Sequence, residues 1–293
     1  MNYIEEYANF LGKFIRANNN VKVVFDCSNG PAGLVLEALI RGNTSITPTI
    51  INDELDGDFP AHGPSPLVAG ALDDLRKTVI EQGADFGVIF DGDADRVMFM
   101  DERGELLDTY QVFRLIQKYF TPPFVVDVRA LAAFVMPGEG VIESKAGRLF
   151  LWKTMHKHQA TFGAERTGHF FFKDFNYLDS AILASIHVIN LVSEIKGSGH
   201  TLSEAAKDLS KVIYPPEIIL EVKDVSLAVR KVRDHYVSKG YSVSDLDGVT
   251  VQGEDFAFNL RAAATEPVAK LNIAAKDQTK IEECIAEIKQ VVF

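Results

Sequence analysis

The run Asp91-Gly92-Asp93-Ala94-Asp95-Arg96 places carboxylates at three alternate positions and follows them at once with a guanidinium. Alternate residues of an extended chain project to one side, and the glycine lets the backbone bend so that the acids can converge. Such a trio repels itself at neutral pH. A hard divalent cation relieves that repulsion, and an all-oxygen donor set suits Mg²⁺, with Mn²⁺ next, rather than zinc. The run directly follows the apolar stretch Phe86-Gly87-Val88-Ile89-Phe90. The carboxyl end of a strand is where open α/β sheets hold their ligands.

Other readings of the same string fit less well. A solvated acidic turn explains one Asp-Gly pair better than it explains alternating aspartates capped by arginine. A calcium EF-hand would use Asp91, Asp93, Asp95 and Glu102, but it needs glycine where Arg96 stands, and strand-like runs flank the loop instead of helices. A haloacid-dehalogenase-type phosphatase also opens with Asp-x-Asp after an apolar strand, yet expects Thr or Val in place of Asp95.

The elements that must carry this loop are legible from periodicity. Tyr3 to Ile15 has helical spacing, Val21–Asp26 reads as a buried strand, and Asn29-Gly30-Pro31 opens a helix through Ile40. Leu72 to Ile80 is a helix stopped by Gly83, ahead of the strand Phe86–Phe90. Further on, Tyr110–Phe120 reads as a helix, Phe124–Val128 as a strand and Ser180–Ile195 as a strongly apolar helix. After Pro215-Pro216 the pattern changes to short strands at Ile218–Val222, Val249–Val251, Phe256–Leu260 and Lys270–Ala274, with helices at Val225–Lys239 and Lys280–Val291. The expected fold class is therefore α/β: two consecutive α/β/α mixed-sheet domains, residues 1–104 and 105–212, followed by a small α+β domain, 213–293.

Composition sets the outer bounds. The 293 residues are 47% hydrophobic and 24% charged, as in an ordinary globular protein. A formal charge of −11 opposes binding to nucleic acid or anionic membranes, so neither is expected as a partner. The apolar stretches fall short of the roughly 20 residues that span a bilayer. With Cys27 and Cys284 far apart and no leader-like start, a cytoplasmic location is expected.

More specific is the order of several motifs. Gly57-Asp58-Phe59-Pro60-Ala61-His62-Gly63-Pro64-Ser65-Pro66-Leu67, then Gly83-Ala84-Asp85-Phe86-Gly87 and the aspartate loop, resemble the second domain of the α-D-phosphohexomutases, the phosphomannomutase/phosphoglucomutase family. The strand and turn Val21–Gly30 are similar to the opening of that domain. The resemblance implies that Asp91, Asp93 and Asp95 hold Mg²⁺ and that Arg96 lies beside the reacting phosphoryl group. A guanidinium there would stabilise charge spread over the phosphoryl oxygens.

The resemblance continues along the chain. Gly163-Ala164-Glu165-Arg166-Thr167-Gly168-His169 resembles the family's sugar-recognition loop, implying that Glu165 and Thr167 bind sugar hydroxyls and that His169 transfers a proton. Arg129, in Asp127-Val128-Arg129, stands where the family usually has lysine near the reacting centre, and Arg148 aligns with a substrate-binding segment. Arg261-Ala262-Ala263-Ala264-Thr265-Glu266-Pro267 is similar to the phosphate-binding loop, implying that Arg261 and Thr265 hold the substrate's non-reacting phosphate. Ala263 replaces the serine usual there, which removes one donor.

The similarity begins at the family's second domain, and nothing like the nucleophile loop Thr-Ala-Ser-His-Asn-Pro occurs in the sequence. The implied substrate is a hexose phosphate and the implied reaction the exchange of hexose 1-phosphate and hexose 6-phosphate. Without the phosphoserine domain the chain is expected to be incomplete or inactive alone. It is then a truncated reading frame, a partner of a separate polypeptide that supplies that domain, or a non-catalytic phosphosugar-binding or regulatory protein. A Mg²⁺-dependent sugar phosphatase ranks lower.

Overall fold

The structure, a computed structural model, describes residues 2–207, 209, 212–263 and 266–293. The chain is mixed α/β, with doubly wound parallel segments first and an antiparallel sheet at its C-terminal end, the class expected from the sequence. It divides into two compact units that do not follow chain order. Residues 1–121 and 166–209 form the first, and 122–165 with 210–293 form the second.

In chain order the first unit begins with α1 (Tyr3–Gly12), β1 (Val21–Asp26), α2 (Ala32–Ile40), β2 (Ile46–Ile51), α3 (Asp73–Gln82), β3 (Phe86–Phe90), β4 (Val97–Asp101), β5 (Leu106–Leu107) and α4 (Thr109–Ile116). The second unit takes up β6 (Phe124–Asp127), α5 (Ala132–Val135), β7 (Val141–Ser144), α6 (Arg148–His158) and β8 (Phe162–Glu165). The chain returns to the first unit for β9 (His169–Phe172), β10 (Leu178–Asp179), α7 (Ala181–Gly197) and α8 (Leu202–Lys207). It ends in the second with β11 (Ile218–Leu220), α9 (Val225–Ser238), β12 (Ser242–Ser244), β13 (Val249–Gln252), β14 (Phe256–Ala262), β15 (Ala269–Ala275) and α10 (Gln278–Val292).

The sheet that positions the aspartates runs in the order β2-β1-β3-β4-β5. Strands β1, β2 and β3 are parallel, and β4 returns antiparallel to β3 with Phe90 opposite Val97. That return makes the aspartate loop the turn of a hairpin. Every residue of β3 is buried, as its unbroken apolar sequence requires of a strand covered on both faces. Helix α3 closes one face through Leu75 and Val79, which pack with Val24, Ile89 and Met100. A Cβ on Gly87 would come within 2.7 Å of Val79 Cγ2, so the close seating of α3 depends on a bare backbone there. Removal of Leu75 from this fully buried position would cost about 2–5 kcal/mol.

Helix α7 is buried along most of its length, from Ala181 to Ser193, which is why its sequence is apolar all round instead of striped. Ser180 caps it, accepting the Leu183 N–H. Its polar residues are used as latches: Asn190 accepts from Arg16 N and donates to Phe14 O, and Ser193 Oγ accepts from Asn18 N and Asn19 N. These hold the segment after α1 on the first unit, where α1 ends at Gly12 rather than continuing to Ile15.

In the second unit, β6 pairs in parallel with both β7 and β8. The C-terminal sheet, in the order β11-β15-β14-β13-β12, is antiparallel throughout. Its core gathers Tyr236, Phe256, Phe258, Leu271 and Ile288 between that sheet and helices α9 and α10. Asp224 and Asp277 cap the two helices, each accepting a backbone N–H from the first turn.

Candidate active site

The aspartate loop is held from within. Asp91, 1% exposed, accepts at Oδ1 from the backbone N–H groups of Asp95 (3.1 Å) and Arg96 (3.0 Å), and at Oδ2 from Arg96 Nε at 2.6 Å. Ala94 takes a left-handed backbone, φ +58°, so that the loop can turn in so few residues. Ligand oxygens of Asp91, Asp93 and Asp95 all lie within 4.8 Å of one another, with Asp91 buried, Asp95 half-buried and Asp93 exposed. The donor set is therefore convergent, all-oxygen and open on the Asp93 side, and it fits a hard divalent cation. Arg96 sits against Asp91 and, at 3.9 Å, Asp95, which lowers the repulsion among the three acids.

The first unit also brings His169 to this loop. The turn before it docks on β4: Val97 N donates to Gly168 O at 3.0 Å, and Thr109 Oγ1 donates to Arg166 O at 3.0 Å. Gly168 has φ +97°, and a Cβ there would lie 2.7 Å from Val97 O, so both backbone angle and approach demand glycine. From the start of β9, His169 Nδ1 stands 3.7 Å from Asp95 Oδ1 and 2.8 Å from Asp179 Oδ2. Sequence reading missed Asp179. It faces the site because β10 pairs antiparallel with β9, Asp179 opposite Phe171. Thr167 lies in the same turn, half-buried.

Arg129, Glu165, Arg148 and Arg261 belong to the second unit. Arg129, 4% exposed, donates from Nε to Asp127 Oδ1 at 2.7 Å and from Nη2 to Asp127 Oδ2 at 3.2 Å and Glu165 Oε1 at 2.7 Å. Glu165, expected to face sugar hydroxyls, thus spends one oxygen on a buried cation. Its neighbourhood is tightened by Tyr214, whose hydroxyl donates to Arg129 O. Arg148 is exposed at the first position of α6. Arg261 lies at the end of β14, where Nη2 is 4.0 Å from Glu217 Oε2. Burial pulls the Glu217 carboxyl up, but the Asn272 hydrogen bond and the charges of Lys270 and Arg261 outweigh it and leave the carboxyl below its usual range. Thr265 lies outside the described residues.

A separate cavity of about 460 Å³ lies beside Phe14, Arg16, Phe120 and His187, and none of the expected site residues lines it. It is no competitor for the aspartate loop on chemical grounds, because it lacks a convergent acid cluster.

Residues 1–104 match the family described as phosphoglucomutase/phosphomannomutase, alpha/beta/alpha domain II, and residues 133–212 match its alpha/beta/alpha domain III. A phosphomannomutase of Methanocaldococcus jannaschii is 33% identical over 303 residues, covering 100% of this chain and 66% of the relative. One from Escherichia coli K12 is 30% identical, covering 97% of this chain and 65% of the relative. A phosphoglucomutase/phosphomannomutase family protein of Burkholderia thailandensis superposes with a TM-score of 0.85 over 99% of this chain and 64% of that one, at 22% identity. An Aspergillus fumigatus N-acetylphosphoglucosamine mutase, solved with GlcNAc-6P and magnesium, superposes with a TM-score of 0.70 at 16% identity over 99% of this chain.

These matches, with the order of fold and motifs, define a mixed α/β protein that carries domains II and III of that family. The chain belongs to the α-D-phosphohexomutase family, that of the phosphomannomutases and phosphoglucomutases. It spans about two thirds of the length of the relatives it matches.

Proposed function

We propose that this chain supplies the metal-binding and sugar-phosphate-binding part of a phosphohexomutase, whose overall reaction interconverts hexose 1-phosphate and hexose 6-phosphate. The observation that carries this reading is the convergence of Asp91, Asp93 and Asp95 within 4.8 Å, with Arg96 held against Asp91. In this reading the three carboxylates hold Mg²⁺. When bound, the ion would supply positive charge against the phosphoryl oxygens.

The remaining tasks fall to side chains of the chain itself. Arg96 presents a permanent positive charge beside the metal loop, and its planar fork suits phosphoryl oxygens. His169, oriented by Asp179, moves a proton at Nε2 to or from a sugar hydroxyl. Arg129 and Glu165 hold each other in a fixed geometry and bind the sugar ring, with Thr167 and Arg148 contributing further hydrogen bonds. Arg261 and Thr265 take the non-reacting phosphate, with the Ala263 change weakening that grip by one donor. The divisions 1–104, 105–212 and 213–293 correspond to the family's second, third and fourth domains.

The family's reacting phosphoserine stands in a Thr-Ala-Ser-His-Asn-Pro loop that these 293 residues do not contain, so turnover is proposed to require that loop to be supplied. The test mixes the purified chain with a first domain bearing the Thr-Ala-Ser-His-Asn-Pro loop and assays glucose 1-phosphate conversion with Mg²⁺. Conversion that needs both components is the expected result. Silence of the mixture, with hexose phosphate still bound by calorimetry, would favour the non-catalytic binding reading. Vigorous turnover by the chain alone would contradict the division of labour proposed here.

A further inference from the structure

The segment Gly57–Leu67 carries much of the family resemblance, yet none of the roles above uses it. We infer that it is a positioning strap for the metal loop, acting through a buried His62–Asp26 pair, an inference that rests on the metal reading. Asp26, the last residue of β1, has a side chain with 0% exposure, and that of His62 has 7%. His62 Nε2 lies 3.2 Å from both Asp26 oxygens. The same carboxylate accepts from Ser28 N at 2.9 Å and from Asn52 Nδ2 at 3.0 and 3.1 Å. One buried acid thereby ties the β1 turn, the end of β2 and the strap together.

The strap reaches the metal loop two residues later. Pro64 O accepts from Gly92 N at 2.8 Å, between the first and second metal-loop aspartates. A Cβ on Gly92 would meet Pro64 Cβ at 2.8 Å and Phe59 Cε1 at 2.9 Å, so the strap lies flat against the backbone. From the other side, Ser28 Oγ donates to Phe90 O at 2.6 Å, and a Cβ on Gly30 would come within 2.6 Å of Gly92 O. Residues 90–92 are thus gripped on both sides by loops that share Asp26. Groups that orient metal ligands from outside the ligand set commonly set affinity by about 10–100-fold.

A brace that only stabilises the fold would leave metal affinity alone, which makes Mn²⁺ titration of the purified chain the deciding readout. His62→Leu is expected to weaken Mn²⁺ binding at least fivefold with its circular dichroism spectrum retained. His62→Gln, whose amide can still donate to Asp26, should recover affinity to within about threefold of wild type. Folded His62→Leu with wild-type affinity would overturn the inference. Should that variant fail to fold, Phe59→Leu at its half-buried loop position must weaken binding at least threefold, and wild-type affinity there would overturn it equally. Asp93→Ala separates the two levels of the account. If Asp93→Ala lowers affinity and the strap variants do not, only the strap fails. If wild type takes up no Mn²⁺, the metal reading falls and the strap with it.

Discussion

His169 Nδ1 lies 2.8 Å from Asp179 Oδ2, a carboxylate whose side chain is closed to solvent, while Asp95 of the aspartate loop stands 3.7 Å from the same nitrogen. Under the proposed function the buried acid stands to the imidazole as a carboxylate stands to a proton-transferring histidine that it orients. Its charge is felt nearby: the Tyr7 hydroxyl is raised by burial first, is partly restored by its hydrogen bond to Ser180, and is raised again by Asp179.

Asp179→Asn should therefore lower kcat at least roughly tenfold, or about 1.4 kcal/mol of barrier, in the two-component mutase assay. KM for the hexose phosphate should stay within about threefold. Equal losses in kcat and affinity would instead mark Asp179 as a general packing residue.

Asp93 is the exposed member of the acid trio, so its removal tests the metal site with little risk to the fold. Asp93→Ala should weaken Mn²⁺ binding at least roughly tenfold, about 1.4 kcal/mol, in an electron paramagnetic resonance titration. An unchanged titration would remove the loop from the site.

Arg129 is held between Asp127 and Glu165 with almost no exposure. Arg129→Met would leave two acids buried without their cation, and breaking such a cluster typically costs about 3–5 kcal/mol. Urea unfolding of the variant should show that loss. A shift below about 1 kcal/mol, the range of an exposed pair, would show that the cluster is hydrated in solution.

His187 gives a pH signature independent of catalysis. Burial among Phe14, Tyr119, Phe120 and Phe172, with the Arg16 charge second, pushes its imidazole down to about 4. A base depressed in the folded state binds fewer protons there than when unfolded, so its stabilisation is present above the unfolded value near 6.5 and is lost as pH falls toward 4. The loss is on the order of 3 kcal/mol. His187→Phe should lose about 2 kcal/mol less stability than wild type between pH 7 and 4.5, the part of that loss which falls in this window, measured by urea unfolding. Parallel losses in the two proteins would contradict the burial argument.

The sequence made the aspartate loop legible because its pattern is local: alternation, a glycine and a preceding apolar strand are enough to place three acids together. Long periodic helices such as α7 and α9 were equally plain. What stayed hidden depends on pairing across distance. Asp179 gains its role from a two-residue strand laid against β9, and no spacing rule links it to His169. Glu165 and Arg129 carry separate roles in the family resemblance, yet 36 residues apart they form one buried ion cluster. Strand β2 escaped notice because Pro48 interrupts it, which the sheet tolerates at an edge. Helix α6 escaped because Arg148–His158 shows no clean apolar stripe, with only Leu151 and Met155 buried. The compact units, too, interleave along the chain, whereas a linear reading divides it into consecutive domains.

The most direct test is crystallographic: crystals of the chain grown with Mn²⁺, with an anomalous difference map phased from the protein. The account predicts one strong peak at a bonding distance of roughly 2.2 Å from carboxylate oxygens of Asp91, Asp93 and Asp95. A saturating soak that leaves those three acids bare, or a peak bound elsewhere, would contradict it.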